Sequence, residues 1–297
     1  MSEQISPHIS ILLEEFLNFF ADQEIHSFVD GTLGAGGHSF AILSAHPEIQ
    51  HFFGIDRDPQ AIEIARQRLE PFKEKIQLIH GSFHELNLLV PVLGIDGMFL
   101  DLGVSSMQLD RPEKGFSLYK EGPLDMRMNP EADLDAATIV NTFSEKELGE
   151  LFRDYGEEPR WRRAAKAIVE ARRKKKIRTT TDLCEVLKTV LTWSGRKGKN
   201  IHPATLVFQA LRIKVNEELK TLESGLQCAI ERLNPGGRLG VISFHSLEDR
   251  IVKLSFRQAA VEKKVKILTK KPLIASREEM RKNPRSRSAK MRFVEKL

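Results

Sequence analysis

Four short apolar runs, each closed by an Asp or a Gly, recur along the first third of the chain: SFVDGT at 27–32, HFFGID at 51–56, IQLIHG at 76–81 and GMFLDLG at 97–103. Stretches with helical spacing of apolar residues separate them, notably 37–45 and 58–70, the second opening on Asp58-Pro59 as cap and first-turn residue. Strands alternating with helices build βαβ units, hence a parallel sheet with right-handed crossovers. Ligands of such sheets sit beyond the carboxyl ends of the strands, which is where the Asp and Gly residues fall.

The rhythm is not uniform. Residues 9–20, ISILLEEFLNFF, form an amphipathic opening helix. From 113 to about 210 the chain reads as helices only (SEKELGELFRDYG, PRWRRAAKAIVEARRKKK, TTTDLCEVLKTVL), with SGRKGKN as a connector. The α/β pattern returns with one long helix near 212–233, the turn LNPGGR and the strand LGVISF at 239–244; KVKIL and MRFVEK then alternate as a closing antiparallel pair. The spacing therefore predicts an α/β domain from 1–112 plus 211–297, interrupted by a helical domain at 113–210.

At 297 residues and 41% hydrophobic, such a chain can bury a substantial core. Its two cysteines, Cys184 and Cys228, are too far apart for a metal knuckle, and no His/Cys spacing implies a metal. No apolar N-terminal run suggests a signal peptide or membrane span, so a cytoplasmic protein is expected.

Four glycines occur within seven positions of FVDGTLGAGGHS: Gly31, Gly34, Gly36 and Gly37. A strand ending in Asp30, a glycine turn and a helix beginning near His38 would bring backbone amides against a ligand without side-chain obstruction. The pattern is neither GxxxxGK[ST] nor GxGxxG. Asp56 closes the next strand, where a carboxylate can accept two hydrogen bonds from a ribose diol; an adenosine-bearing ligand follows. The bland alternative is that the glycines permit tight packing and Asp56 caps the helix after it. S-adenosylmethionine fits better than a dinucleotide. Its ammonium and carboxylate can be met separately by Asp30 and helix amides, and LNPGGRLGVISF resembles the fifth-strand region of class I methyltransferases.

The chain as a whole resembles the bacterial 16S ribosomal RNA cytosine-N4 methyltransferases. The matching segments are HISILLEE at 8–15, DGTLGAGGHS at 30–39, GIDRDPQAI at 54–62, DGMFLDLGVSSMQLD at 96–110, GFSLYKEGPLDMRM at 115–128, HPATLVFQALRIKVNEEL at 202–219, GGRLGVISFHSLEDRIVK at 236–253 and NPRSRSAKMR at 283–292. The resemblance implies a class I methyltransferase (Rossmann-like) fold, with a seven-stranded mostly parallel sheet and an inserted all-helical domain. It implies methylation of the exocyclic N4 amine of a cytidine in the decoding region, with S-adenosylmethionine as donor and 16S ribosomal RNA or the small subunit as partner. Cofactor contacts carry over to Gly36, Gly37, His38, Asp56, Phe83, Asp101 and Gln108, beside Asp30 and Gly34 from the turn itself. Ala35, Met107 and the Pro-Arg-Trp stretch at 159–161 depart from the family's usual residues.

The N4 lone pair of cytosine is delocalised, so an enzyme must hold the nitrogen in line with the methyl group and accept its protons in hydrogen bonds. Other amino-methyltransferases do this with a turn after the fourth strand, the place DLGVSS occupies here. Asp101 is the candidate to orient the amine, with Ser105 and Ser106 as helpers and His245 as a further catalytic candidate. SFHSLEDR at 243–250 does not read as a hydrolase triad, since Ser243, His245, Ser246, Glu248 and Asp249 cannot all converge and no GxSxG elbow occurs. His245 serves equally well as a structural histidine.

Formal charge is only +5, but residues 151–200 hold fifteen Lys/Arg against six Asp/Glu and residues 262–297 thirteen against four. The candidate RNA contacts are Arg160, Arg162, Arg163, Arg172, Arg173 and Lys174 in the helical segment, and Arg285 and Arg287 in the tail. A solvated helix face is the plain alternative. The sequence leaves open a small-molecule methyltransferase, a non-enzymatic RNA-binding factor and self-association as a homodimer.

Overall fold

The computed structural model describes residues 10–92, 94–104, 109–191 and 202–297. They form two compact units, Met1–Gly103 with Leu219–Leu297, and Val104–Glu218. The sequence rhythm places these boundaries at 112/113 and 210/211. The difference arises because the helix over Thr205–Val215 buries Val207, Phe208, Leu211 and Val215 in the core of the helical unit.

The first unit is built on a seven-stranded sheet of order β3-β2-β1-β4-β5-β7-β6, in which β1 is Ser27–Asp30, β2 His51–Asp56, β3 Ile76–His80, β4 Ile95–Asp101, β5 Leu233–Ser243, β6 Val265–Ile267 and β7 Lys290–Lys296. Strands β1 to β5 run parallel, while β7 is antiparallel to both β5 and β6. This is the class I methyltransferase sheet. The expected closing pair exists, but β7 lies between β5 and β6, and the turn LNPGGR is absorbed into β5 through a register shift opposite Ile95 and Gly97.

The central strands are apolar on both faces because both are covered. Phe28, Val29, Phe52, Phe53, Ile55, Met98, Phe99 and Leu100 are all buried. On one side pack α1 (Leu13–Asn18), α2 (Gly37–Ala45) and α3 (Pro59–Arg68), which share a core of Phe16, Phe20, Ile42, Leu43 and Ala65 with the strands. On the other lie α4 (Leu86–Leu89) and part of a long helix through Leu222, Leu226 and Ile230, with a further helix through Val252 and Phe256. The strand order reverses on either side of β1, whose neighbours are β2 and β4. That switch point fixes where a ligand crevice opens.

The second unit holds α5 (Ala136–Thr142), α6 (Glu145–Asp154), α7 (Trp161–Lys174), α8 (Thr180–Lys188) and α9 (Thr205–Val215). Reciprocal capping boxes start α6 at Ser144 with Glu147 and α8 at Thr179 with Asp182. Its apolar core includes Leu148, Phe152, Ile168, Leu183 and Leu187. The single helix expected near 212–233 is in fact two. Helix α9 ends at Val215, Glu217 is left-handed (φ 48°), and α10 runs Glu218–Arg232. Asn216 makes the break: its amide accepts from the Met128 N–H and donates to the Met126 and Arg212 carbonyls. The last two helices are α11 (Ser246–Val261) and α12 (Arg277–Lys282). None of the described helices is long and apolar enough to cross a membrane.

Candidate active site at the carboxyl ends of the strands

Gly54 in β2 lets the turn after β1 fold down onto the sheet. A Cβ there would lie 2.8 Å from Leu33 Cδ1, and the Leu33 N–H donates to the Ile55 carbonyl at 2.9 Å. Pinned by Leu33, the chain reverses through Gly34 and Gly36, both with positive φ (51° and 72°), and enters α2 at Gly37. Glycine is the residue that takes those angles without strain. Gly36 caps α2 with no side-chain hydrogen bond to the helix start, where Ser10 Oγ packs against Gly37.

Four acidic side chains gather around this turn. Asp30, at the end of β1, is 2% exposed; it accepts from Ser39 Oγ (2.6 Å) and from the Thr32 N–H (3.1 Å), tying the turn to α2. Burial lifts its carboxyl to about 6, against the pull of those two hydrogen bonds and with a push from Asp56. Asp56, at the end of β2, accepts from the Gly34 N–H and the Asp58 N–H, each at 2.8 Å, and burial also raises it. The helix cap of α3 is Asp58, which accepts from the Gln60 N–H. Asp56 therefore spans the glycine turn and the β2–α3 turn, and does not itself cap the helix.

Asp101, at the end of β4, is the most unusual group. Its backbone N–H donates to Thr32 Oγ1 at 2.5 Å, and its Oδ2 lies 3.7 Å from His38 Nδ1. Its Oδ1 is buried and meets no hydrogen-bond partner among the described residues, although the side chain as a whole is 27% exposed. Burial, then the charges of Asp30 and Glu248, push its carboxyl up to about 8. Glu248, the fourth acid, is buried in the first turn of α11 and accepts from the Phe244 N–H (2.7 Å) and the His245 N–H (3.2 Å). Acids crowded in this way, with Asp30, Asp56 and Asp101 raised by burial, make a site whose charge balance favours a cation.

The structure places the other expected residues as follows. His38 turns its ring inward between Phe16 and Phe99, with Nε2 on the Ile11 carbonyl at 3.0 Å. At that position only the backbone can face a ligand at the helix start. Phe83 packs beneath the glycine turn, against Gly31 and Gly225 of α10. His245 is the N-cap of α11: its Nδ1 accepts from the Glu248 N–H at 3.3 Å while Glu248 reaches back, and its Nε2 lies 3.0 Å from Glu248 Oε1. Ser243 donates to the Lys290 carbonyl, and Asp249 pairs with Arg292 and Lys290, so these residues form no hydrolytic triad. Ser105, Ser106 and Gln108 lie outside the described residues.

The whole chain also matches known proteins. The model of the MraW methylase family covers residues 5–297. The chain belongs to the MraW methylase family. It is 53% identical to the ribosomal RNA small subunit methyltransferase H of Protochlamydia amoebophila, over 98% of both chains. The corresponding figures are 50% for the protein of that name from Chlamydia trachomatis serovar D, over 98% of this chain and 97% of that one, and 48% for the one from Acaryochloris marina, over 98% and 94%.

In this MraW-family chain the basic candidates divide. Arg172 donates to the Val140 carbonyl at 2.6 Å and holds α5 to α7. Arg162, Arg163, Arg173 and Lys174 are exposed on α7, Arg160 is exposed just before it, and Arg285 and Arg287 are exposed in a short turn before β7. Sequence reasoning missed Glu248 as a neighbour of Asp101. The signal was present as the capping spacing His245-x-x-Glu248, ahead of an apolar helix. It also missed Trp161, whose partners become visible only once α6 and α7 are packed.

Proposed function

We propose that this chain transfers a methyl group from S-adenosylmethionine to the exocyclic N4 amine of a cytidine in the decoding region of 16S ribosomal RNA. The observation that carries the reading is Asp101 Oδ1, a buried acceptor without a donor among the described residues, at the switch point of the sheet. An unpaired buried carboxylate oxygen costs about 1–3 kcal/mol or more, a cost that a ligand N–H would relieve.

The residues fit the donor. Asp56 has lone pairs left for a ribose diol after its two backbone contacts. The N-terminal end of α2 suits a carboxylate, and the excess of acid from Asp30, Asp101 and Glu248 suits an ammonium and a sulfonium. Bound there, the donor supplies an electrophilic methyl group. Asp101 accepts a hydrogen bond from the N4 amine and turns its lone pair toward that methyl; Thr32 fixes the strand end that carries the carboxyl. The nitrogen becomes acidic as it is alkylated, so no strong base is required, and an ionised Asp101 can take the proton as it leaves. Ser105 and Ser106, close in sequence to Asp101, are the candidate helpers in orienting the amine. His245 contributes by holding Glu248 at the start of α11.

The test is direct. The purified protein is incubated with methyl-labelled donor and either free 16S RNA or small subunits, and the RNA is digested to nucleosides for mass analysis. N4-methylcytidine from one decoding-region position is the expected product. Label on another base, on a small molecule, or on nothing overturns the proposal.

A further inference from the structure

Helix α7 carries a cationic face that the fold of its own unit does not use. At 100° per residue, Arg162, Arg163, Lys166, Glu170, Arg173 and Lys174 fall within about 120° of the helix circumference and along about 18 Å of its length. All six are exposed, while Ala164, Ala165, Ile168 and Val169 on the other side are buried. The one carboxylate on the arc, Glu170, is engaged by Lys166 at 3.8 Å. Among the described residues Arg163, Arg173 and Lys174 meet no carboxylate. Like charges placed together without counter-ions oppose one another in the free protein, and a polyanion removes that cost.

One end of the arc is built differently. The Trp161 indole is seated against Gly149 of α6, where a Cβ would lie 2.8 Å from the ring. The Arg162 guanidinium lies over that ring, 3.8 Å from its centroid, and Arg153 of α6 approaches it at 5.6 Å while chelated by Asp154. A guanidinium held over a fixed aromatic joins a cation to a ring, of the kind on which unstacked RNA bases are held.

We propose that this arc of α7 is a docking rail for single-stranded RNA: Arg163, Arg173 and Lys174 take phosphates, and an unpaired base stacks on the Arg162–Trp161 pair. The inference rests on the RNA-methylating reading for its partner, but it is tested by binding alone. The chain has two tryptophans, so full-length protein carrying Trp193→Phe reports on Trp161 only. An oligocytidylate is titrated against its fluorescence at several salt concentrations, with a duplex RNA of equal length and polyglutamate as comparisons.

The single strand should change Trp161 emission and bind at least fivefold more tightly than the duplex or polyglutamate. Arg162→Lys should cost about tenfold in affinity with the salt slope retained, because charge stays and the stacking plane goes. The triple change Arg163→Gln, Arg173→Gln, Lys174→Gln should flatten the slope by about 2, at roughly 0.7 per phosphate on a single strand, with the emission change kept at saturation. Binding of S-adenosylhomocysteine and the melting temperature should be unchanged in both. Equal binding of duplex or polyglutamate, or variants that bind as wild type does, overturns the rail. Loss of methyl transfer to ribosomal RNA in the wild type would overturn the proposed function and leave this result standing.

Discussion

His38 Nδ1 faces Asp101 Oδ2 across 3.7 Å, and the histidine's other nitrogen is committed to the Ile11 carbonyl. A carbonyl can only accept, so Nε2 carries the proton and, in the neutral ring, Nδ1 presents a lone pair. Two acceptors do not sit face to face at low cost. A protonated Asp101 removes the conflict, in keeping with a carboxyl raised to about 8 by burial and by Asp30 and Glu248. In the free protein at neutral pH the carboxyl therefore holds a proton, and a cationic donor arriving nearby would displace it.

Proton release on donor binding follows. A cation favours the ionised carboxylate, lowering its pKa, so binding at pH 7 should release up to one proton and affinity should rise as pH climbs toward 8. Calorimetry in two buffers of different ionisation enthalpy measures the number directly. Asp101→Asn should release markedly less; equal release in wild type and variant would place the titration elsewhere.

The same residue should trade stability for activity. A carboxyl whose pKa is 3.8 unfolded and about 8 folded binds more protons in the fold between those values. Stability contributed by this group thus falls as pH rises from about 4 to about 8, and the penalty is complete above that window. Asp101→Asn should melt about 2 °C or more above wild type at pH 8.5, with the gap closing toward pH 5, while methyl transfer falls by at least 100-fold. A variant melting below wild type at pH 8.5 would mean that the carboxylate is held by partners rather than strained.

Much of this site was legible because its acids end strands. Asp30, Asp56 and Asp101 close apolar runs that periodicity alone identifies, and the parallel sheet puts those ends on one edge. What could not be read was the direction of individual rings. The sequence places His38 at the ligand turn, yet the apolar partners Phe16 and Phe99, from α1 and β4, draw the imidazole into the core. The break between α9 and α10 was hidden for a similar reason. Asn216 interrupts the helix to satisfy Met126 and Met128, some 90 residues earlier, and no local pattern records that partner.

Asp56 and Asp58 differ in role although two residues apart. Asp58 caps α3, and Asp58→Ala should cost about 1 kcal/mol of stability and change donor affinity less than threefold. Asp56→Ala removes the candidate ribose acceptor and the brace on Gly34, and should weaken donor binding at least tenfold, on the order of 1.5–3 kcal/mol for hydrogen bonds to a charged group. Denaturant melts and titration of S-adenosylhomocysteine into both variants separate the effects. The reverse ranking in affinity would move the ribose away from β2.

His245 is the residue whose role in capping and role in chemistry can be told apart by substitution. Its ring caps α11 and keeps Glu248 reaching back to the Phe244 and His245 amides, beside the Asp101 carboxyl. Serine and aspartate cap helices well, whereas alanine does not. His245→Ala should therefore lose about 1 kcal/mol and, by freeing Glu248, several-fold in turnover. His245→Ser should recover most of both, because the cap and the position of Glu248 return without the imidazole. A serine variant that regains the melting temperature but stays 100-fold slow would make the ring itself part of the reaction, touching the base rather than holding the helix that faces it.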